Sequence, residues 1–107
     1  MTLKQQIHDF LHDYHVGADN AVYGRKLCSV CGVSSPLLRR TINELRVDGT
    51  PVCSDSNGYF FAANTREIDI TMAHLASRSN EMIKAREGLA RAKESFISED
   101  LSEEDGG

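Results

Sequence analysis

The chain has 107 residues, enough for one domain and an appendage, since domains usually contain about 100–150 residues. Hydrophobic residues make up 40% and charged residues 26%, a globular composition that excludes wholesale disorder. No apolar run approaches the roughly 18–20 residues that span a bilayer, and the first ten residues do not resemble a signal peptide. The three cysteines are an odd number, which favours a reducing compartment over a disulfide framework.

The net charge of −4 conceals two regions of opposite sign. Residues 99–105 carry five acidic side chains and no basic one, so the rest of the chain has a charge of +1. Residues 24–46 hold five basic side chains against one acidic residue, a local charge of +4. A basic patch of this kind favours an anionic partner such as nucleic acid. The segment 98–107 has few large apolar residues and is predicted to be a disordered acidic tail.

The first predicted helix covers residues 2–15, because its apolar side chains recur at helical spacing and form one stripe. Thr2 is a suitable N-cap for it. His8 and His12 stand four residues apart on one face, but no third metal ligand follows at a closing spacing, so we expect both to face solvent. The stripe consists of Leu3, Ile7, Phe10, Leu11 and Tyr14.

Residues 24–49 carry the strongest local pattern, a short helix, a glycine turn and a second helix. Cys28 is a small residue four positions before Gly32, so the two helices can cross closely and the turn can adopt a positive φ. Ser34 or Ser35 can cap the second helix, which should end near Gly49. The order of these signals indicates a helix-turn-helix.

Two β-prone runs, 50–54 and 59–62, then flank an Asn57-Gly58 dipeptide, a strong hairpin signal. The stretch LRRTINELRVDGTPVCSDSNGYFF, with the preceding helices, resembles winged helix-turn-helix domains of bacterial repressors and small phage-encoded regulators. The resemblance covers roughly residues 3–63 and implies a mainly α, α+β fold with a two-stranded wing in a domain 1–63. It also implies sequence-specific double-stranded DNA binding by a small transcription or replication regulator, in the cytoplasm of a bacterial or phage-infected cell.

The second helix of this motif is the expected DNA-reading element. Helical geometry turns its leucines inward and its arginines and asparagine outward, where arginine can bind guanine and asparagine can bind adenine. The alternative is a merely solvated arginine face. The expected base contacts are Ser35, Arg39, Arg40 and Asn43, and the expected backbone contacts are Arg25, Lys26, Ser34, Arg46, Ser56 and Asn57.

Residues 64–97 are predicted to form one long helix, opened by a capping box of Asn64 and Glu67. One row of side chains repeats every seven residues, as in a coiled coil, so we expect a homodimer or higher oligomer. The alternative is a shorter helix that packs on the first helix and ends near Gly88. The expected oligomer interface comprises Ile68, Met72, Leu75, Met82, Leu89 and Phe96.

Cys28 and Cys31 form a CxxC pair, but with Cys53 there are only three thiols, and a structural zinc site needs four ligands. Both occupy small apolar positions of the helix pair, so we expect buried thiols with no metal and no cofactor.

No phosphate loop, nucleophile elbow or zinc-protease motif occurs, so an enzyme is not expected. The competing function is a protein-interaction module that binds a host or replication protein, or mimics DNA, without binding DNA.

Overall fold

The computed structural model describes the backbone of residues 1–106 and the side chains of all of these except 81–82, 85–86 and 95–106. The chain divides into two compact units, Met1–Met72 and Ala73–Gly107. It is mainly helical with a two-stranded antiparallel sheet, as the α+β prediction requires. The elements are α1 (Leu3–Tyr14), a 3-10 turn (Ala18–Asn20), α2 (Gly24–Cys31), α3 (Ser35–Val47), β1 (Val52–Asp55), β2 (Gly58–Phe61) and α4 (Thr65–Gly106).

Helix α1 begins where the sequence predicts, because the Thr2 hydroxyl accepts a hydrogen bond from the Gln5 backbone N–H at 3.2 Å. Ile7 and Leu11 are completely buried at the centre of the core. An ion pair between Lys4 and Asp48 joins the start of α1 to the residue that follows α3. Burying the α1 stripe therefore fixes the first helix against the helix pair that follows it.

The turn between α2 and α3 is built around Gly32, whose φ of 65° is the left-handed conformation predicted for it. The Val33 N–H donates to the Cys28 carbonyl at 3.0 Å across this turn. Ser34, rather than Ser35, is the N-cap of α3, and its hydroxyl accepts from the Leu37 N–H at 3.4 Å. The tight turn brings the two helices together over a shared apolar surface.

One hydrophobic core lies between α1, α2, α3 and the hairpin. Burying side chains of this size contributes about 1.5–3 kcal/mol each relative to leaving them exposed, which makes this core the main stabilising element of the first unit. Partly buried Phe10, Tyr59 and Phe61 pack against its edge. The buried members are Ile7, Leu11, Val22, Leu27, Leu38, Ile42, Leu45 and Val52.

The predicted hairpin forms with Val52 opposite Phe61 and Asp55 opposite Gly58. Gly58 is therefore already paired, and the two residues that connect the strands are Ser56 and Asn57.

Val22, shortly before α2, forms an isolated bridge with β2 of the hairpin. Val22 and Tyr59 exchange two backbone hydrogen bonds, each 2.8 Å long. A Cβ on Gly58 would lie 2.1 Å from the Val22 carbonyl oxygen, and the φ of Gly58 is 117°. Only glycine fits this close approach of two backbones.

Helix α4 opens with the predicted cap, since the Asn64 side-chain oxygen accepts from the Glu67 N–H at 3.0 Å. The Glu67 carboxylate accepts from the Ala63 N–H and also from the Ala18 N–H, each at 2.8 Å. This one side chain holds the start of α4 to the 3-10 turn, which lies 49 residues earlier in the chain.

The helix passes through Gly88 and continues to Gly106, beyond the predicted end at residue 97 and through the segment predicted to be disordered. No proline occurs after residue 64 and no glycine between 88 and 106, so the chain contains no helix breaker there. The composition of residues 98–107 predicts disorder, because few large apolar residues are available for burial there. In the described part of the chain, no helix combines the length and apolar composition that a membrane crossing requires.

Candidate nucleic-acid interface

Helix α3 separates an inner apolar face from an outer polar face, as predicted. Leu38, Ile42 and Leu45 are at most 4% exposed, while Arg39, Arg40 and Asn43 are all exposed. The inner face also contains Thr41, whose hydroxyl donates to the Leu37 carbonyl at 2.8 Å and is thereby satisfied inside the core. The orientation of α3 is therefore set by its buried side, which leaves the expected base-reading side chains outside.

The polar groups of this outer face have no partner among the side chains that the structure describes. Among the described side chains, those of Arg39, Arg40 and Asn43 make no hydrogen bond and no ion pair. Glu44, the acidic residue of α3, is also exposed and pairs with neither arginine. Two guanidinium groups and one amide can therefore bind an external acceptor without first breaking an internal bond.

Arg46 differs from the other arginines of α3 because the hairpin already holds it. Its Nε donates to the Val52 carbonyl at 2.8 Å and its Nη2 donates to the Ser54 hydroxyl at 3.1 Å. The side chain is half-buried and fixes the end of α3 to β1. The DNA-backbone contact expected of Arg46 stays a prediction, and the structure shows that its guanidinium also braces the helix against the hairpin.

The serines at the start of α3 are both exposed. The Ser34 hydroxyl is used as the helix cap, and the Ser35 hydroxyl lies 3.8 Å from the Cys28 sulfur. Backbone N–H groups of a helix's first turn are suitable donors to a phosphate. The Ser35 hydroxyl is thus exposed beside Cys28, whereas Ser34 contributes mainly by fixing the position of the helix start.

Arg25 and Lys26 are exposed on the first turn of α2. The Arg25 guanidinium lies 5.3 Å from the centroid of the Tyr23 ring, within the range of a cation–π interaction. Sequence analysis did not identify Tyr23, although an aromatic residue directly before Gly24-Arg25-Lys26 was the available signal. Tyr23 is 53% exposed, so its contact with Arg25 lies at the surface of the protein.

The hairpin tip carries the two remaining expected backbone contacts, Ser56 and Asn57, and both are exposed. The Asn57 N–H donates to the Asp55 carboxylate at 2.8 Å, which orders the turn. The same carboxylate places a negative charge at the tip, where it repels phosphate. Contacts from this hairpin are therefore limited to hydrogen bonds without charge assistance.

Two apolar side chains, Leu37 and Val47, are also exposed on α3, and sequence analysis did not assign them to the site. Val47 is 79% exposed and lies on the same exposed side of the helix as Asn43 and Glu44. An exposed aliphatic group next to arginines is suited to contact the methyl group of thymine. The outer face of α3 therefore combines polar and apolar groups that can recognise bases.

The histidines of α1 are partly solvent-facing, as expected, but they are also ordered by contacts. The His8 and His12 rings stack with centroids 5.8 Å apart, and both meet the Phe61 ring edge-on at 5.6 and 5.2 Å. Each imidazole Nδ1 lies 3.0 Å from the carboxylate of the next residue, Asp9 or Asp13. These contacts seat α1 on the sheet and account for the histidines as packing residues.

The cysteines differ from the expectation in one respect: Cys28 and Cys31 are half-buried rather than buried, while Cys53 is buried. Position 31 lies next to the turn glycine, where the end of the helix leaves part of the side chain uncovered. Burial raises the pKa of the Cys31 thiol above its ordinary value, and the neighbouring Cys28 raises it further. Burial likewise raises the pKa of Cys53.

These raised pKa values predict a loss of stability in alkali. The folded chain binds the Cys31 and Cys53 protons more tightly than the unfolded chain does. The contribution of these two thiols to the unfolding free energy is therefore complete at neutral pH and is lost as the pH rises above about 8.5. Urea unfolding of wild type and of the Cys31→Ala/Cys53→Ala variant from pH 7 to 10 measures it. The difference in unfolding free energy should shrink with rising pH; parallel curves would contradict this.

The expected oligomer interface lies on α4. Met72, Leu75 and Leu89 are exposed, Ile68 is half-buried, and the side chains of Met82 and Phe96 lie outside the described residues. Ile70 and Ile83 are also exposed, and sequence analysis did not include them in the interface. Leu89 has 74% of its surface exposed in the single chain, so this helix offers apolar area that folding of one chain does not bury.

No protein-family model matches the chain, and comparisons with curated proteins and with solved structures find no significant match.

Proposed function

We propose that this protein is a winged helix-turn-helix protein that binds double-stranded DNA sequence-specifically, as a small regulator of transcription or replication. The observation that carries the proposal is the outer face of α3, where Arg39, Arg40 and Asn43 are exposed and have no partner among the described residues. In this proposal α3 enters the major groove and these three side chains read base edges.

The surroundings of α3 support the same proposal. Arg25 and Lys26 at the start of α2 supply positive charge for phosphates, and the hairpin follows α3 directly, as a wing does. Arg46 supports it indirectly, because its bonds to Val52 and Ser54 set the spacing between the reading helix and the hairpin. Arg46 thereby positions the reading helix, and its contact with the DNA backbone remains part of the proposal.

Selection of bound sequences from a random DNA pool tests the proposal most directly. A sequence-specific protein should enrich one motif, and its affinity for that motif should fall as salt rises, with a slope set by the number of phosphates neutralised. Fluorescence anisotropy at several salt concentrations measures that slope. Enrichment of no motif, with no retention on heparin or DNA at low salt, would refute DNA binding.

The acidic segment 99–105 favours a second candidate, a protein-interaction module that binds a host or replication protein or mimics DNA. In that role the acidic segment would bind a basic partner, and the protein itself would show no affinity for DNA. The DNA experiment separates the candidates, since a DNA mimic would compete for a basic DNA-binding partner but would itself show no affinity for DNA.

We also propose that the protein self-associates through α4. Leu89 lies on the heptad row and is largely exposed, so replacing it by aspartate should place a charge in the interface and yield a monomer. Asn80 lies on the opposite side of the helix, and Asn80→Asp adds the same charge as a matched control. Sedimentation equilibrium at micromolar concentration should show a dimer for wild type and the control. A monomeric wild type would end this part of the proposal.

A further inference from the structure

The basic surface formed by α2 and α3 contains one acidic side chain, that of Glu44. Residues 24–46 hold five basic side chains and this single carboxylate. Glu44 is exposed, and among the described side chains it makes no hydrogen bond and no ion pair. Arg40 stands four residues earlier, the spacing at which opposite charges pair on a helix, yet no ion pair joins the two side chains. Glu44 therefore places a negative charge on a surface that is proposed to face phosphates.

Glu44 lies beside the expected base-reading side chains. At about 100° and 1.5 Å per residue, it stands about 40° around the helix axis from Arg40 and about 6 Å further along α3. The hydrogen bond to Asp48 and, less strongly, the charge of Glu44 raise the pKa of Lys4, so this carboxylate lies on the flank of α3 toward the start of α1. Lys4 is bonded to Asp48 and not to Glu44. The Glu44 carboxylate thus borders the outer face of α3 and remains able to accept a hydrogen bond from outside.

We propose that Glu44 is a specificity-determining residue that accepts a hydrogen bond from the N4 amino group of a cytosine in the major groove. The inference rests on the proposed binding of DNA by α3 and adds one base to those that this helix recognises. A carboxylate accepts hydrogen bonds and has none to donate. Cytosine presents only a donor in the major groove, whereas guanine and thymine present acceptors and adenine places its N7 acceptor beside its amino group. Cytosine is therefore the base that matches Glu44.

Glu44 selects mainly by penalising the other bases. Opposite guanine or thymine, the carboxylate would lose water and face a second acceptor, which leaves a desolvated charge without a partner. Opposite cytosine, the amino group replaces the lost water. Specific sites commonly combine such a repulsive element with attractive contacts. An acidic residue within a basic surface is accounted for in this way, because the general loss of affinity for DNA is recovered at one base.

The position of Glu44 relative to Arg40 also predicts where that cytosine lies. A guanidinium donates to guanine O6 and N7, so Arg40 and Glu44 prefer opposite partners. Their separation of about 6 Å along α3 corresponds to about two base-pair steps of roughly 3.4 Å. The selected motif should therefore contain a cytosine within about two base pairs of the guanine that Arg40 contacts.

Glu44→Gln tests the proposal through the base that is preferred. Glutamine has the same length, but it is uncharged and its amide binds adenine N6 and N7. Selection from a random DNA pool should return the wild-type motif with the cytosine lost and adenine favoured in its place. Fluorescence anisotropy should show the ratio of affinities for the cytosine and adenine sites falling at least about fivefold. Asp69→Asn, which removes the same charge from an exposed residue of α4, should leave the motif unchanged.

A second measurement removes the donor from the DNA instead of the acceptor from the protein. Replacing the selected cytosine by pyrimidin-2-one, which lacks the amino group, should weaken binding of wild type about fivefold or more. The same replacement should have little effect on Glu44→Ala, because the partner of the amino group is already gone. Equal losses in the two proteins would overturn the contact.

The possible outcomes separate this proposal from the one on which it rests. A wild type that enriches no motif refutes sequence-specific DNA binding, and the role of Glu44 with it. A motif shared by wild type, Glu44→Gln and Glu44→Ala leaves DNA binding by α3 in place and overturns only the cytosine contact. Circular dichroism and urea unfolding of each variant should match wild type, since the changed side chains are exposed.

Discussion

Replacing Arg39, Arg40 and Asn43 together by alanine is expected to lower affinity for the selected DNA sequence at least 100-fold. Each base-reading contact contributes about 1–3 kcal/mol, and the three side chains are exposed with no partner among the described residues, so their removal subtracts the base contacts directly. The unfolding free energy should change by less than about 0.5 kcal/mol, because no described contact of the fold is lost. Anisotropy and urea unfolding measure the two quantities.

The Arg25→Ala/Lys26→Ala variant separates base recognition from electrostatic attraction to the phosphates. These residues lie on α2 and are proposed to contact phosphates, so their loss should weaken binding to all sequences about equally and reduce the salt slope by about 1 per phosphate contact. The triple variant should instead lose the preference among sequences. If the triple variant binds its best DNA as wild type does, the assignment of α3 as the reading helix is wrong.

Gly58→Ala is expected to be the most destabilising small substitution in the hairpin, by about 2–5 kcal/mol. The added Cβ would lie 2.1 Å from the Val22 carbonyl oxygen, which is backbone and cannot move aside without breaking its bond to the Tyr59 N–H. The φ of 117° adds conformational strain for any residue other than glycine. Urea unfolding of the full chain, followed by circular dichroism, measures the loss.

Gly49 offers the matched control for this substitution. Its φ is 91°, also positive, but a Cβ there would have no heavy atom within 4 Å. Gly49→Ala should therefore show the backbone strain alone, about 1–2 kcal/mol. Equal losses in the two variants would mean that Val22 does not approach Gly58 as closely as the structure shows.

Most elements of the fold follow from local sequence signals. Thr2, Ser34 and Asn64 mark the helix starts, because a short polar side chain can accept a hydrogen bond from the first turn. Gly32 ends α2 because glycine alone enters the left-handed region without strain. The inward and outward faces of α3 also follow from the sequence, since the helical period and the positions of Leu38 and Ile42 are sufficient.

The end of α4 shows where local signals conflict. Residues 98–106 lack large apolar side chains, which predicts disorder, but they also lack helix breakers, and the structure continues the helix through them. The number of large apolar residues limits the free energy that burial can gain against the conformational entropy lost on ordering. Helix propensity indicates only whether the backbone can continue as a helix. The two criteria agree for α1 and α3 because those helices bury a face.

Up to residue 97, the sequence alone determined which segments form the α-helices and which side of α3 is polar, because both depend on residues close together in the chain. Only the tertiary structure decided the roles of Arg46, Glu67 and Val22. Arg46 binds the Val52 carbonyl, Glu67 reaches the Ala18 N–H, and Val22 pairs with Tyr59. Each of these bonds joins a side chain or strand residue to a backbone group of another element. A backbone polar group is the same in every residue type, so its partner is decided by which elements packing of the core brings together.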